Sequence, residues 1–201
     1  MRIPTAMVAL LLSAAVAWAA PVPPSAPKMR PYCGIGVLML ANGGIAEAEE
    51  SYRLYDEPAL ARLGELDLSR VPPYEWIFGA MNGSQPLVVT ARKGEWLRVA
   101  YDDAGREAWL ELRRPAAFQS WEEFLKGRTV RLLPGLQKRY YQLFREAGRG
   151  AQAGVSPKEP FRAVRLMDDW ILVLSGQNTL GWLRWRDEDG RLLVGLGRDR
   201  P

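Results

Sequence analysis

The side chains that could do chemistry are few and poorly matched to one another. Asp102 and Asp103, with Glu107 and Glu111, could supply the paired carboxylates of a glycosidase, but such a pair needs a cleft that raises the pKa of one member. Asp187-Glu188-Asp189-Gly190 carries the acids of a calcium loop. They are consecutive, however, without the alternate spacing of an EF-hand or a downstream Glu at the right distance, so a hairpin turn explains them better. Ser84, Ser156 and Ser175 have no base to activate them, because the sequence contains no histidine and no G-x-S-x-G elbow. A single cysteine, Cys33, excludes CxxC redox pairs and cysteine clusters for zinc or iron. No cofactor and no metal site is expected, and the chain reads as non-catalytic.

Aromatic side chains are the remaining candidates. Tyr74, Trp76 and Phe78 alternate in a segment led by Pro72 and Pro73, where an aromatic cluster has less structural excuse than inside a core. With Trp96 and Trp170 they form the set of candidate ligand contacts, whereas Trp109 and Trp182 are read as core filling. Nucleic acid is not expected as a partner. The formal net charge is only +4, and the Lys and Arg residues are scattered instead of gathered in a stripe.

The elements that must position these residues are short strands. With 201 residues, 48% hydrophobic and 25% charged, the chain can bury a core, and its 19 glycines and 15 prolines, without a period, call for many turns. Ile35 to Leu40 meets the turn signal Asn42-Gly43-Gly44 before Ile45 to Tyr55 resumes, which suggests a strand pair. Arg53-Leu54-Tyr55-Asp56-Glu57 stops at Pro58. Leu87 to Thr90, Trp96 to Tyr101 and Ala108 to Leu110 then make a meander with turns at Arg92-Lys93-Gly94 and Asp102-Asp103-Ala104-Gly105. A second meander follows: Phe161 to Leu166, a turn at Asp168-Asp169, Trp170 to Leu174, Gly181 to Trp185, the Asp187 to Gly190 turn, and Leu192 to Val194. Trp96 and Trp109 in the first are echoed by Trp170 and Trp182, and Arg53-Leu54-Tyr55 by Arg131-Leu132-Leu133, a recurrence of roughly 70–75 residues that suggests two copies of one small domain. Between the copies Ser120-Trp121-Glu122-Glu123 is a capping box with Gly127 as a stop. Leu136, Tyr140, Leu143, Phe144 and Ala147 recur at helical spacing up to Gly148, which predicts an amphipathic helix.

Residues 1–19 read as a secretory signal: Arg2, an apolar run from about Ala6 to Val16, then Ala17-Trp18-Ala19 with cleavage before Ala20. An uncleaved anchor is the alternative, but the run falls short of the ~20 residues of a membrane span, and no later stretch spans a bilayer. The mature protein is therefore expected to be periplasmic or secreted. Arg30-Pro31-Tyr32 before Cys33 is no lipobox, and the apolar neighbours Ile35, Val37 and Leu38 favour a buried thiol.

Leu54-Tyr55-Asp56-Glu57-Pro58, then Lys93-Gly94-Glu95-Trp96-Leu97-Arg98-Val99, the Asp-Asp-x-Gly turn and Ala108-Trp109-Leu110 together resemble bacterial SH3-like (SH3b) domains. Asp169 to Val173 and Gly181-Trp182-Leu183 fit the same two positions less fully, with the Leu-Tyr-x-x-Pro opening reduced to Leu132-Leu133-Pro134. The resemblance implies a mainly β fold of two small SH3-like β-barrels with a helical insert between them or within the second. The expected division is signal 1–19, proline-rich linker and strand pair 20–50, first domain 51–114, insert and second domain 115–196, and tail 197–201. It further implies a non-catalytic binding module for cell-wall (peptidoglycan) peptide or an envelope protein, with Tyr74, Trp76 and Trp96 forming a groove for an extended chain. The competing classes are a structural or adaptor subunit using the same aromatics as an interface, and a degraded cell-wall hydrolase that kept only its targeting domains.

Overall fold

The structure is a computed structural model that describes residues 29–41, 52–79, 84–112 and 118–197. The expected signal, most of the linker, the Asn42-Gly43-Gly44 turn and the run from Ile45 to Ser51 lie outside the described residues. No helix among the described residues is long and apolar enough to cross a membrane.

Two seven-stranded antiparallel sheets account for nearly all of the regular structure. The first contains β1 (Gly36–Ala41), β2 (Arg53–Glu57), β3 (Leu60–Glu65), β4 (Ser84–Lys93), β5 (Trp96–Ala100), β6 (Glu107–Glu111) and β7 (Phe118–Ser120), in spatial order β3-β2-β6-β5-β4-β1-β7. The second contains β8 (Thr129–Leu132), β9 (Gln142–Glu146), β10 (Arg149–Gly154), β11 (Phe161–Met167), β12 (Trp170–Ser175), β13 (Leu180–Arg184) and β14 (Val194–Leu196), in order β10-β9-β13-β12-β11-β8-β14. Each strand of the second sheet thus takes the place of the strand seven earlier. The registers correspond as well: Trp96 pairs with Lys93 and Trp170 with Met167 across tight turns, Trp109 faces Arg98 as Trp182 faces Leu172, and Tyr55 faces Trp109 as Phe144 faces Trp182. Even the irregularities coincide, with one between Val89 and Ala91 and another between Ala163 and Arg165.

Neither sheet is a closed barrel. The outer strands β3 and β7, and likewise β10 and β14, are not hydrogen-bonded to each other. The ends differ: β3 and β10 are exposed, whereas the short helix α1 (Glu75–Phe78) packs against β14 so closely that a Cβ on Gly195 would lie 2.5 Å from the Ile77 carbonyl oxygen, and helix α2 (Trp121–Leu125) packs on β7. The register also corrects the expected echo, since the counterpart of Leu54-Tyr55 is Leu143-Phe144 in β9, while Arg131 belongs to β8, the counterpart of β1.

The helical sequence between the meanders is mostly not helical. Helix α2 (Trp121–Leu125) has the expected capping box, in which the Ser120 hydroxyl accepts from the Glu123 N–H and the Glu123 carboxylate accepts from the Ser120 N–H at 2.8 Å. It stops two residues before Gly127. The segment 136–147, expected as an amphipathic helix, is a 3-10 turn at Lys138–Tyr140 followed by β9. Leu143 and Phe144 therefore point to opposite faces, the first into the core and the second onto Trp170 at 5.2 Å, edge to face. Gly148, at φ +76°, is the hairpin turn into β10 and not a helix cap; a Cβ there would lie 3.3 Å from the Trp170 ring.

Two apolar clusters hold the sheets. One lies against the first sheet and includes Leu38, Leu40, Leu87, Val89, Leu97 and Leu110. The other joins both halves of the chain: Val37 and Val88, from the opposite face of the first sheet, bury together with Phe78, Trp121 and the inner residues of the second sheet such as Ile171 and Val173. Trp109 is not buried, contrary to expectation, and Trp182 is buried but belongs to neither cluster. The alternation of a strand puts Ala108 and Leu110, and Gly181 and Leu183, on the inner side, leaving both indoles on the outer face, Trp109 half-buried and Trp182 9% exposed.

Candidate functional site

The end of the proline-dense segment is not a free linker. Its Pro31 carbonyl accepts from the Leu192 N–H at 3.1 Å, the Cys33 N–H donates to the Gly190 carbonyl at 2.8 Å, and Tyr32 bridges to Arg191. Arg30 forms an ion pair with Asp187 at 2.7 Å, and the Arg191 guanidinium lies 4.1 Å over the Tyr32 ring. Residues 29–33 are thereby stitched to the turn Asp187 to Gly190. That turn closes as expected, with Asp187 Oδ1 accepting from the N–H groups of Asp189 and Arg191. Cys33 is a free, buried thiol, 1% exposed, and burial pushes its pKa up to about 12.

A second stretch, Pro72 to Trp76, lies alongside. Pro72 and Pro73 lead into α1, whose Ile77 and Phe78 N–H groups reach back to the Tyr74 carbonyl at 2.9 Å. Phe78 anchors the helix in the core, edge to face with Phe124 at 5.7 Å and stacked on Trp121 at 6.2 Å. With that ring fixed, Tyr74 and Trp76 stay half-buried at the surface.

Between these two stretches and the outer face of β4, β5 and β6 is a cleft of about 920 Å³. Tyr74, Trp76, Tyr32 and three prolines, Pro31, Pro72 and Pro73, line one side. Val88, Ala100 and Glu107 form the floor, and the loop from Asp102 to Gly105 closes one end. Burial pushes the Tyr74 phenol up to about 12, so it is a neutral hydroxyl here. Asp102 is buried within the loop. Burial raises its pKa, but the Arg106 backbone N–H at 2.9 Å and guanidinium at 2.5 Å outweigh this and hold it below the usual carboxylate range, so it is a structural anion. Glu107 is paired with Arg98 at 3.0 Å. Glu75 and Asp103 also line the cleft and have no ion-pair partner among the described residues; Arg191 on the same rim has none either, and acidic groups outnumber basic ones in the lining.

No family model, curated protein or solved structure matches the chain. The site is therefore read from its own chemistry.

Of the five aromatic candidates, only Tyr74 and Trp76 line the cleft, and Phe78 meets Tyr74 edge to face at 6.0 Å from beneath. Phe78 is a core residue, 3% exposed. Trp96 does not join the groove expected with Tyr74 and Trp76: Ala100 of β5 lines the cleft, and Trp96 sits at the other end of that strand, about 13 Å away. It packs edge to face on Tyr55 at 5.3 Å, and Trp170 takes the same register position against Phe144. The carboxylates Asp102, Asp103 and Glu107 do reach the cleft, but two of the three are neutralised by arginine; Glu111 is not part of it. Among the described residues no group of His, Cys, Asp and Glu is placed to hold a metal ion. Sequence reasoning missed Pro31, Tyr32 and Arg191. Pro31 directly before Tyr32 and the basic pair, Arg186 and Arg191, around Asp187 to Gly190 were the local traces of them.

Proposed function

We propose that the protein is an exported, non-catalytic binding module whose cleft holds an extended peptide, either a cell-wall peptide or a segment of an envelope protein. The observation that carries this reading is the lining of the cleft: flat aromatic and proline surfaces face two carboxylates, Glu75 and Asp103, that form no ion pair among the described residues. Rigid apolar rings bind an extended or proline-containing chain at little entropic cost, and the carboxylates add a preference for a basic residue or a free amine. The resemblance of Lys93 to Val99 and Ala108 to Leu110 to SH3-like domains supports the cell-wall assignment. So does the apolar leader of the sequence, which favours a periplasmic or secreted location.

Retention on purified peptidoglycan tests the reading. Wild type should be retained and Trp76→Ala should lose roughly tenfold in apparent affinity, the scale of losing one buried aromatic contact. Equal retention of the two proteins would remove this cleft as the site.

A further inference from the structure

The correspondence between the sheets gives the floor of the cleft a counterpart. Ala100 faces Glu107 across β5 and β6 as Leu174 faces Leu180 across β12 and β13. On the neighbouring strand Val88 corresponds to Arg162, and the irregularity at Thr90 corresponds to Val164. On the first sheet this ground is roofed by the stretches at Pro31 and Pro72. On the second sheet no described residue roofs it: Leu180 is 53% exposed, Val164 is 38% exposed, and Arg162 is exposed.

At three of the four positions the residue changes run against simple exposure to water, while at the fourth Val88 gives way to Arg162. Where the covered ground has Thr90, Ala100 and Glu107, the uncovered ground has Val164, Leu174 and Leu180. Contiguous apolar surface left open in this way marks an interaction face. Arg162 and Arg165 flank it; Arg165 lies 5.6 Å over the Trp182 ring, and neither arginine has a carboxylate partner among the described residues. Arginine beside tryptophan, without Lys, Asp or Glu among these residues, fits the centre of a protein interface.

We infer that this face of the second sheet docks an extended, acidic segment of a partner protein bearing proline or tyrosine. Two observations select that occupant. The molecule covers the corresponding ground on its first sheet with its own proline- and tyrosine-bearing stretches, Pro31-Tyr32 and Pro72 to Tyr74. On the second sheet the ground is basic, with Arg162 exposed and Arg165 over Trp182, so the complementary segment is acidic. The protein would then hold two different chains at once, one per sheet.

Fluorescence anisotropy of the full chain with labelled peptides of about twelve residues tests this. The panel is one peptide of Glu, Pro and Tyr, one with Lys for every Glu, and one acidic peptide with Gly and Ser for Pro and Tyr. The first should bind roughly tenfold tighter than the others, Leu180→Asp should weaken it by about the same factor, and the double variant Arg162→Glu/Arg165→Glu should reverse the charge preference. All three sites are on the outer face, and thermal melts matching wild type establish that the variants fold. Trp76→Ala should leave this binding unchanged, which separates it from the cleft. Equal binding of the three peptides, insensitivity to both variants, or loss only in Trp76→Ala would overturn the inference. So would binding to phosphatidylglycerol vesicles without peptide binding, or self-association in sedimentation that Leu180→Asp abolishes.

Discussion

Replacing Trp121 by Phe tests whether the two sheets form one cooperative unit. Trp121 is 5% exposed, and its indole N–H donates to the Cys33 carbonyl at 2.6 Å in the core. Its ring lies 6.2 Å from Phe78, which belongs to the first half of the chain, and 5.7 Å from Trp185, which belongs to the second. Phenylalanine keeps most of the apolar contact but leaves a buried carbonyl without its donor, at a cost of about 1–3 kcal/mol, and the lost five-membered ring adds about 1 kcal/mol. The expected destabilisation is therefore about 2–4 kcal/mol, or a fall in Tm of roughly 5–15 °C for a chain of this size. Urea unfolding followed by far-UV circular dichroism measures it, with a single transition expected for wild type and variant. Trp109→Phe, on the outer face, is the control and should cost less than about 1 kcal/mol. A Trp121→Phe midpoint indistinguishable from wild type, or two separate wild-type transitions, would refute the shared core.

Two further expectations follow from local geometry. Gly181→Ala places a Cβ 2.5 Å from Leu143 Cγ, a core residue 6% exposed, and should cost about 1–3 kcal/mol in the same urea assay, whereas Gly176→Ala, which has open space, should be near neutral. Glu188 is held at a pKa of about 2, first by the Tyr140 hydroxyl at 2.5 Å and then by Arg184 and Arg139, against an ordinary value of 4.5. A depressed carboxylate contributes stability above its unfolded pKa that is lost as pH falls, so wild type should weaken between about pH 4.5 and 2. Glu188→Gln should flatten that part of the curve of Tm against pH; an unchanged slope would show that the network contributes nothing.

The strands that were legible share one property: their signal is local. Trp96-Leu97-Arg98-Val99 alternates, and Gly94 supplies the positive φ that its turn requires, so strand and turn can be read from neighbouring residues. The Ser120/Glu123 capping box is local in the same way. Strand β3 was missed because it is an exposed edge with no apolar alternation. The segment 136–147 misled because Leu136, Tyr140, Leu143 and Phe144 fit a helical period, while hydrogen bonds from β10 and β13 on either side hold β9 extended.

Residue order alone determined the strand-rich character, the turns, the absence of histidine, and the two pairs of tryptophans that occupy matching register. It could not determine which aromatics would be surface and which core, because one residue of alternation decides the face and only the partner strand sets that phase. Phe78 and Trp76 differ by two positions of the short helix α1, whose turn sends them to different sides: one is locked under Trp121 and the other is left at a cleft. That cleft is assembled from residues near 31, 74, 103 and 191, four stretches with no common sequence pattern. Its existence follows from the second sheet gripping the chain before the first, a contact between distant segments whose loop-closure cost is met only when the whole core forms.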